Sequence, residues 1–353
     1  MSDKLPVILL GGSGYVAGEF LRLVHAHPTL ALGAAVSTSQ AGEPIAATFE
    51  HLAFAYPDET FTALDATLER LGEAPRWVVF SAAPHGAAAG MIAQLLDAAA
   101  SAGTELTVVD ASADFRFASA ASWEAVYGHA HAAPERLPEF TCALPEHRAS
   151  IETPHAAHPG CFATAMLLGV VPLAAAGLAE PDYFVSAVTG STGAGRSPRD
   201  TTHHPFRQSN LFAYQVLKHR HAPEVRALVE AATGEQVGIH FVPHSGPFAR
   251  GILATIFARR KGNATEQDVR DALAEQYRGS SFVRVTAQPP RLKDVATSNY
   301  ALVSAAIDGD TIVVVTAIDN LLKGAAGGCM QWANRLLGWP EGAGLETPAP
   351  GWL

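Results

Sequence analysis

Over the first 110 residues, short apolar runs alternate with longer stretches rich in alanine and leucine. Residues 6–10 read as a buried strand, 11–14 as a turn and 16–25 as a helix. Further strands are expected at about 32–36, 77–81 and 106–110, with helix composition over 87–100. Strand–helix alternation of this kind predicts a parallel, doubly wound sheet. From about Cys161 the texture changes. Strand-like runs at 184–188, 237–242, 252–258, 282–285 and 311–317 follow one another with fewer helices between them. That is the pattern of a mixed or antiparallel sheet in a second, α+β domain. A last helix at about 325–337 precedes a Pro/Gly-rich tail from Pro340.

Length and composition agree with two domains. At 353 residues the chain exceeds what one core usually holds. Apolar residues make up 48 % and charged residues 16 %, enough for two packed cores and too apolar for a mainly disordered chain. The net charge of −10, without a block of like charges, disfavours nucleic acid and anionic lipid and points to a small-molecule substrate. The three cysteines stand far apart and fit neither a disulfide framework nor a CxxC metal site, which suits a reducing compartment. The N-terminus lacks a signal-peptide apolar region. The longest apolar stretch, about 163–179, is short for a membrane span, contains Pro172 and reads as a buried helix. A cytoplasmic location is the expectation.

The turn after the first strand, GGSGYVAG at 11–18, sets small residues at Gly11, Gly14 and Ala17. Glycines here allow a tight turn and let backbone N–H groups reach a pyrophosphate at the positive end of a helix. Gly11, Ser13, Gly14, Tyr15 and Val16 are therefore candidate cofactor contacts. The plainer reading is a glycine turn that starts a helix. The second strand ends in Ser37-Thr38-Ser39-Gln40. An NAD-specific site usually carries a carboxylate there. Its absence, with Ser37 and Ser39 as donors for a 2′-phosphate, favours NADP.

The segment HPGCFAT at 158–164 is the richest in chemistry. Pro159 and Gly160 make a sharp approach and a helical run begins at or just after Cys161. A cysteine at a helix N-terminus sees the dipole and free N–H groups that favour a thiolate, so Cys161 is the candidate nucleophile. Cys142 and Cys329 lack that setting and read as structural. A thiolate needs a proton-transfer partner, and His219-Arg220-His221 supplies one just before a helix start at Ala222-Pro223-Glu224. His203-His204 is the rival pair. No common zinc spacing links these histidines, so no metal is expected. Two more loops qualify. Residues 189–196 are glycine-rich, so that Gly193 and Ala194 can approach a nicotinamide and Arg196 a substrate; the alternative is a flexible loop. Residues 110–116 end a parallel strand, where such folds place ligands; there Ser112 and Arg116 are candidate substrate contacts, with Arg116 a possible phosphate clamp or a solvated surface residue.

Taken together these segments resemble the long-form N-acetyl-γ-glutamyl-phosphate reductases of arginine biosynthesis, relatives of aspartate-semialdehyde dehydrogenase. The resemblance covers nearly the whole chain. It rests on GGSGYVAGEFLRL near the start, APHG (83–86), DASADFR (110–116), HPGCFATA (158–165), STGAGR (191–196), HRHAPE (219–224), RGILATIFA (250–258) and DNLLKGAAG (319–327). It implies a Cys161 nucleophile, acid/base work by His219 or His221, Pro84 at the cofactor, and Asn320 reaching the nicotinamide side. It further implies an NADP-binding domain over 1–160, completed by the C-terminal segment at about 322–353. A catalytic and dimerisation domain over 161–321 would follow, with an acyl-phosphate substrate and a homo-oligomer, dimer or tetramer. Three departures stand out: Ala17 replaces a glycine that is displaced to Gly18, Phe162-Ala163 follows the cysteine, and Thr202-His203-His204-Pro205 resembles the loop of aminoadipyl-phosphate reductases of lysine biosynthesis. The last keeps the six-carbon homologue in view. A non-catalytic NADP-sensing homologue is the rival from another class.

Overall fold

The computed structural model describes residues 4–352, and its described residues form two compact units. The first comprises residues up to Cys142, Ser150–His158 and Ala326–Glu346; the second comprises Ala143–Ala149, Pro159–Ala325 and residues from Thr347 on. The boundary thus falls inside the HPGC segment, between His158 and Pro159. Residues 143–149 join the second unit because Glu146 and His147 meet Lys323 and Tyr277 there.

In the first unit six strands, β1 (Leu5–Leu10), β2 (Leu30–Val36), β3 (Arg76–Ser81), β4 (Glu105–Asp110), β5 (Phe140–Cys142) and β6 (His155–Ala157), form one sheet in the order β2-β1-β3-β4-β6-β5. Every pairing is parallel. Both faces are covered, so the strands read as continuous apolar runs rather than alternating ones. Helices α1 (Tyr15–Ala26) and α2 (Ala88–Ala102) are the long crossovers, and α3 (Ala120–Tyr127) follows β4. The order reverses at β1, with β2 on one side and β3 on the other. The carboxyl ends of β1 and β3 therefore mark the switch point, the place where open α/β sheets bind ligands. The C-terminal helix Gly327–Leu336 belongs to this unit, where Asn334 Oδ1 accepts from His27 Nε2 at 3.0 Å. The expectation of a doubly wound parallel sheet holds; the short strands β5 and β6 had no sequence signal beyond three residues each.

The second unit is built on seven strands: β7 (Ala179–Thr189), β8 (Phe212–Ala213), β9 (Gly238–Ser245), β10 (Ile252–Arg260), β11 (Val283–Val285), β12 (Ala301–Asp308) and β13 (Thr311–Ile318). Their order is β11-β12-β13-β10-β7-β9-β8. The sheet is mixed, as expected: β7–β9 and β11–β12 pair parallel, the other neighbours antiparallel. Alternation separates its faces. Val185, Ile256 and Val314 stand in one row of neighbours and are buried. Helix α4 (Cys161–Ala175) lies on that face, so closely that a Cβ on Gly169 would come within 2.5 Å of Ile256. Nearly every side chain of α4 is buried and the helix runs through Pro172 without stopping. Helices α5 (His221–Thr233) and α6 (Glu266–Gln276) flank it. The opposite face leaves Phe184 and Phe257, direct neighbours across β7 and β10, 55 % and 41 % exposed. Among the described residues no helix is long and apolar enough to cross a membrane.

Candidate active site

In the first unit the glycine turn behaves as its residues demand. Gly11, at the carboxyl end of β1, has φ +74°, and a Cβ there would stand 2.6 Å from the backbone of Ala82 and Ala83 beyond β3. Only glycine fits a left-handed position in that contact. Gly14 precedes α1 with no side chain capping the first turn, and nothing lies within 4 Å of where its Cβ would be. No side chain of the helix cap competes for the first-turn N–H groups, the donors that a helix start offers to a pyrophosphate. Tyr15 is partly exposed at the start of this helix, with Val16 half-buried behind it. The departure at Ala17 has a packing reason: Ala17 is fully buried, and Gly18 receives the Phe49 ring, 2.9 Å from a notional Cβ. After β2, the Ser37 hydroxyl donates to Ser13 Oγ at 3.4 Å, Ser39 is exposed, and no carboxylate occurs over 37–42. Ser37 is buried, so of the two serines only Ser39 stands open toward solvent at the end of β2. Pro84 is exposed on the rim beyond β3.

The segment 110–116 is built into the scaffold. Asp110 accepts from both the N–H and the hydroxyl of Ser112, at 2.9 and 2.6 Å. Burial pushes its carboxyl up to about 6, against the pull of those hydrogen bonds. Asp114 accepts from Gly86 and Ala89 N–H and so caps α2. Arg116 is buried, donating to the carbonyls of His158 and Ala111 at 3.2 and 2.8 Å. Its guanidinium braces the chain just before the cysteine instead of sitting in solvent.

In the second unit Cys161 is the first residue of α4 and is half-buried. Gly160 precedes it as the cap, and its N–H donates to Glu224 Oε1 at 2.7 Å. Glu224 lies on α5, fully buried, so α5 fixes the turn that presents the thiol. His221 is the first residue of α5 and His219 comes just before it. Both are buried, with ring centres 6.2 and 5.6 Å from Phe162 and 4.7 Å from each other. Burial, then the charge of Arg220, pushes His219 down to about 4. Its ring is therefore neutral at physiological pH. Tyr214 stands edge-on to His219 at 5.8 Å; burial, and next the neighbouring Cys161, raise its phenol. On the far side a Cβ on Gly324 would lie 2.7 Å from Cys161 Cβ, so backbone closes against the cysteine.

The glycine loop of this unit is pinned, not loose. Gly190, Ser191 and Thr192 N–H groups donate to the carbonyls of Gly251, Phe248 and Ala249. A side chain at position 190 would strike Ala249 oxygen at 2.3 Å. Gly193 and Ala194 ride on the short turn Ser191–Ala194, and Arg196 beyond it is exposed. Asn320 is buried; its Oδ1 accepts from Gly251 N–H at 2.7 Å and its Nδ2 donates to Thr192 Oγ1 at 3.0 Å. It thus ties the glycine loop to the end of β13. His203 and His204 are exposed. Sequence reasoning passed over Glu224, Tyr214 and Gly324. The first and last lie within motifs already singled out, but nothing local says what they touch.

A doubly wound dinucleotide-type sheet joined to a cysteine-bearing mixed sheet defines the class. Residues 6–140 match the family described as semialdehyde dehydrogenase, NAD binding domain, and residues 161–320 that described as semialdehyde dehydrogenase, dimerisation domain. The fold is shared with solved aspartate semialdehyde dehydrogenases. Enzyme II from Vibrio cholerae, complexed with ASA, is 15 % identical with a TM-score of 0.67, covering 95 % of this chain and 98 % of that one. The Candida albicans enzyme with NADP is 17 % identical with a TM-score of 0.62, over the same shares. The chain belongs to the N-acetyl-gamma-glutamyl-phosphate reductase family. Curated members from Acidothermus cellulolyticus, Methanopyrus kandleri and Rhodospirillum rubrum are 41, 39 and 36 % identical, each over at least 96 % of this chain and 97 % of the relative.

Proposed function

We propose that this chain is an NADPH-dependent reductase that converts N-acetyl-γ-glutamyl phosphate to N-acetylglutamate 5-semialdehyde, a step of arginine biosynthesis, through a thioester on Cys161. The observation that carries it is the placing of Cys161, half-buried at the head of α4, with two buried imidazoles around the next side chain. The relatives' name supports the substrate.

The Cys161 thiolate attacks the acyl-phosphate carbonyl; a C–S bond forms, the C–O bond to phosphate breaks, and inorganic phosphate leaves with the electron pair. The helix N-terminus favours that thiolate by about 0.3–1 kcal/mol and offers N–H donors to the oxyanion. The turn at Gly11–Val16, with Ser37 and Ser39 at the end of β2, would hold NADPH, which when bound would supply hydride to the thioester. The two histidines divide the proton work. His219 Nδ1 accepts the His221 N–H at 3.2 Å, so the neutral ring carries its proton on Nε2 and is a donor. His221 is then the ring that takes and returns the proton as the C–S bond breaks and the aldehyde leaves.

The test is phosphate-dependent oxidation of three aldehydes with NADP⁺ and NAD⁺ under one set of conditions. N-acetylglutamate semialdehyde with NADP⁺ should give the highest kcat/KM. The six-carbon N-acetyl homologue should trail by the roughly 1–3 kcal/mol that one methylene commands. Aspartate semialdehyde, lacking the acetyl group, should be far poorer. A tenfold win for the six-carbon compound would replace the substrate assignment, and equal use of NAD⁺ would remove the role given to Ser37 and Ser39.

The same reading makes the chain a cytoplasmic homo-oligomer. The uncovered sheet face around Phe184 and Phe257 supports a second copy there, as does the dimerisation domain that residues 161–320 match. Light scattering should give a dimer or tetramer, and Phe257→Arg should shift it toward monomer. A parent that runs as a monomer at micromolar concentration would sink this part.

A further inference from the structure

Behind Cys161 lies a charge pair that the chemistry above does not use. Lys323 Nζ donates to Glu146 Oε1 at 2.5 Å, with the two side chains 0 and 1 % exposed. Sealing both charges from water costs about as much as their attraction returns, so such a pair is poor evidence of a stabilising device. Its place in the chain suggests another use. Lys323 belongs to the π-type turn Leu322–Ala326, a rare conformation that frequently occurs at functional sites. The next residue, Gly324, is the one whose Cβ would stand 2.7 Å from Cys161 Cβ and 3.0 Å from its Cα.

That turn is held at two points. Upstream, the buried Asp319 carboxylate accepts from the N–H groups of Leu321 and Leu322 and from Arg250, while the Asp319 carbonyl accepts from Gly324 N–H at 3.0 Å. Within the turn, Lys323 holds Glu146, with the ammonium also 5.8 Å from the Phe282 ring. Glu146 sits on the short turn Pro145–His147. His147 meets Tyr277 Oη at 3.2 Å, and that hydroxyl donates to the Leu168 carbonyl in the middle of α4 at 2.6 Å. The pair therefore ties the turn that backs the cysteine to a framework that also grips the cysteine's own helix.

We propose that Lys323 is a positioning residue: paired with Glu146, it holds the Leu322–Ala326 turn so that Gly324 fixes the attacking pose of Cys161. This rests on the reading of Cys161 as nucleophile. The experiment compares the parent with the Lys323→Met/Glu146→Met double variant, which removes both charges together. Four quantities are measured: Tm, kcat, KM, and the rate of Cys161 alkylation by iodoacetamide as a function of pH. The double variant should melt within about 4 °C of the parent. Its kcat should fall about 10–100-fold with KM little changed, since a small displacement of a reacting group costs that much. Alkylation should slow or shift its pH midpoint. Parental kcat with a parental alkylation profile in the double variant overturns the proposal.

Should the double variant fail to fold, Lys323→Arg decides. It keeps the charge, but its longer chain and planar head must displace the turn in a sealed site. A stable Lys323→Arg variant with altered alkylation and reduced kcat supports positioning; parental values for both overturn it. Alkylation reports on Cys161 without turnover. An active Cys161→Ser enzyme would thus remove the nucleophile reading separately from the outcome for Lys323.

Discussion

Replacing Cys161 by serine is expected to lower kcat by at least about 10³-fold while NADPH binding stays within about twofold of the parent. A serine hydroxyl at the head of α4 would keep the same place, but a neutral hydroxyl lacks the thiolate's nucleophilicity. The thiol gains from its position: the helix dipole favours its anion, and Gly160, bonded to Glu224, holds the turn that presents it. The cofactor turn at Gly11–Val16 belongs to the other compact unit, so its affinity should not follow the change. Steady-state turnover, cofactor titration by fluorescence and trapping of a thioester by mass spectrometry make the test complete. A serine variant with more than a few per cent of parental kcat would remove the covalent mechanism.

The second large effect concerns the two histidines, and it separates them. His221→Asn should lower kcat by about 10²–10⁴-fold, the usual worth of a positioned acid/base. His219→Asn should cost much less, because asparagine oxygen can replace Nδ1 as the acceptor for the His221 N–H. Its main effect should be on stability against acid. The folded ring titrates at about 4 against 6.5 when free. The stability tied to its neutral form is therefore present above pH 6.5 and is lost as pH falls toward 4. For this buried ring that is up to about 3 kcal/mol. His147, pushed down to about 4 chiefly by burial, adds a loss in the same window. Chemical denaturation from pH 7.5 to 4.5 should show a shallower slope for His219→Asn than for the parent. If His219→Asn instead abolishes turnover while His221→Asn is mild, the two roles are exchanged.

Arg116 shows how far a residue can be read from its neighbours. Its motif marks the carboxyl end of a strand, and a phosphate clamp and a solvated arginine were the two readings on offer. The fold removes the solvated reading: the guanidinium is buried on the carbonyls of Ala111 and His158. Which orphan carbonyls need a donor depends on where β4 and β6 end beside each other, and that pairing joins residues about fifty apart in sequence. Ser112 is likewise committed to Asp110. In the same way, composition left the loop at 189–196 open between flexible and functional. Three backbone hydrogen bonds to 248–251 anchor its residues 190–192.

What the sequence determined by itself was local. A glycine at a left-handed turn, small residues where a strand meets a helix, and a cysteine after Pro-Gly at a helix start each impose their geometry on a few bonds. They were legible for that reason. The alternation of strands and helices, and its loss after Cys161, likewise announced the two sheets, because periodicity is written residue by residue. What only the tertiary structure decided was contact between distant segments. Glu224 reaches Gly160 across 64 positions, and Lys323 reaches Glu146 across 177. Gly324 closes on Cys161 from the far end of the second unit. A side chain's charge and size say what it can bond, but its partner is set by which strands pair and which helix covers them. That long-range packing has no signature within a window of ten residues.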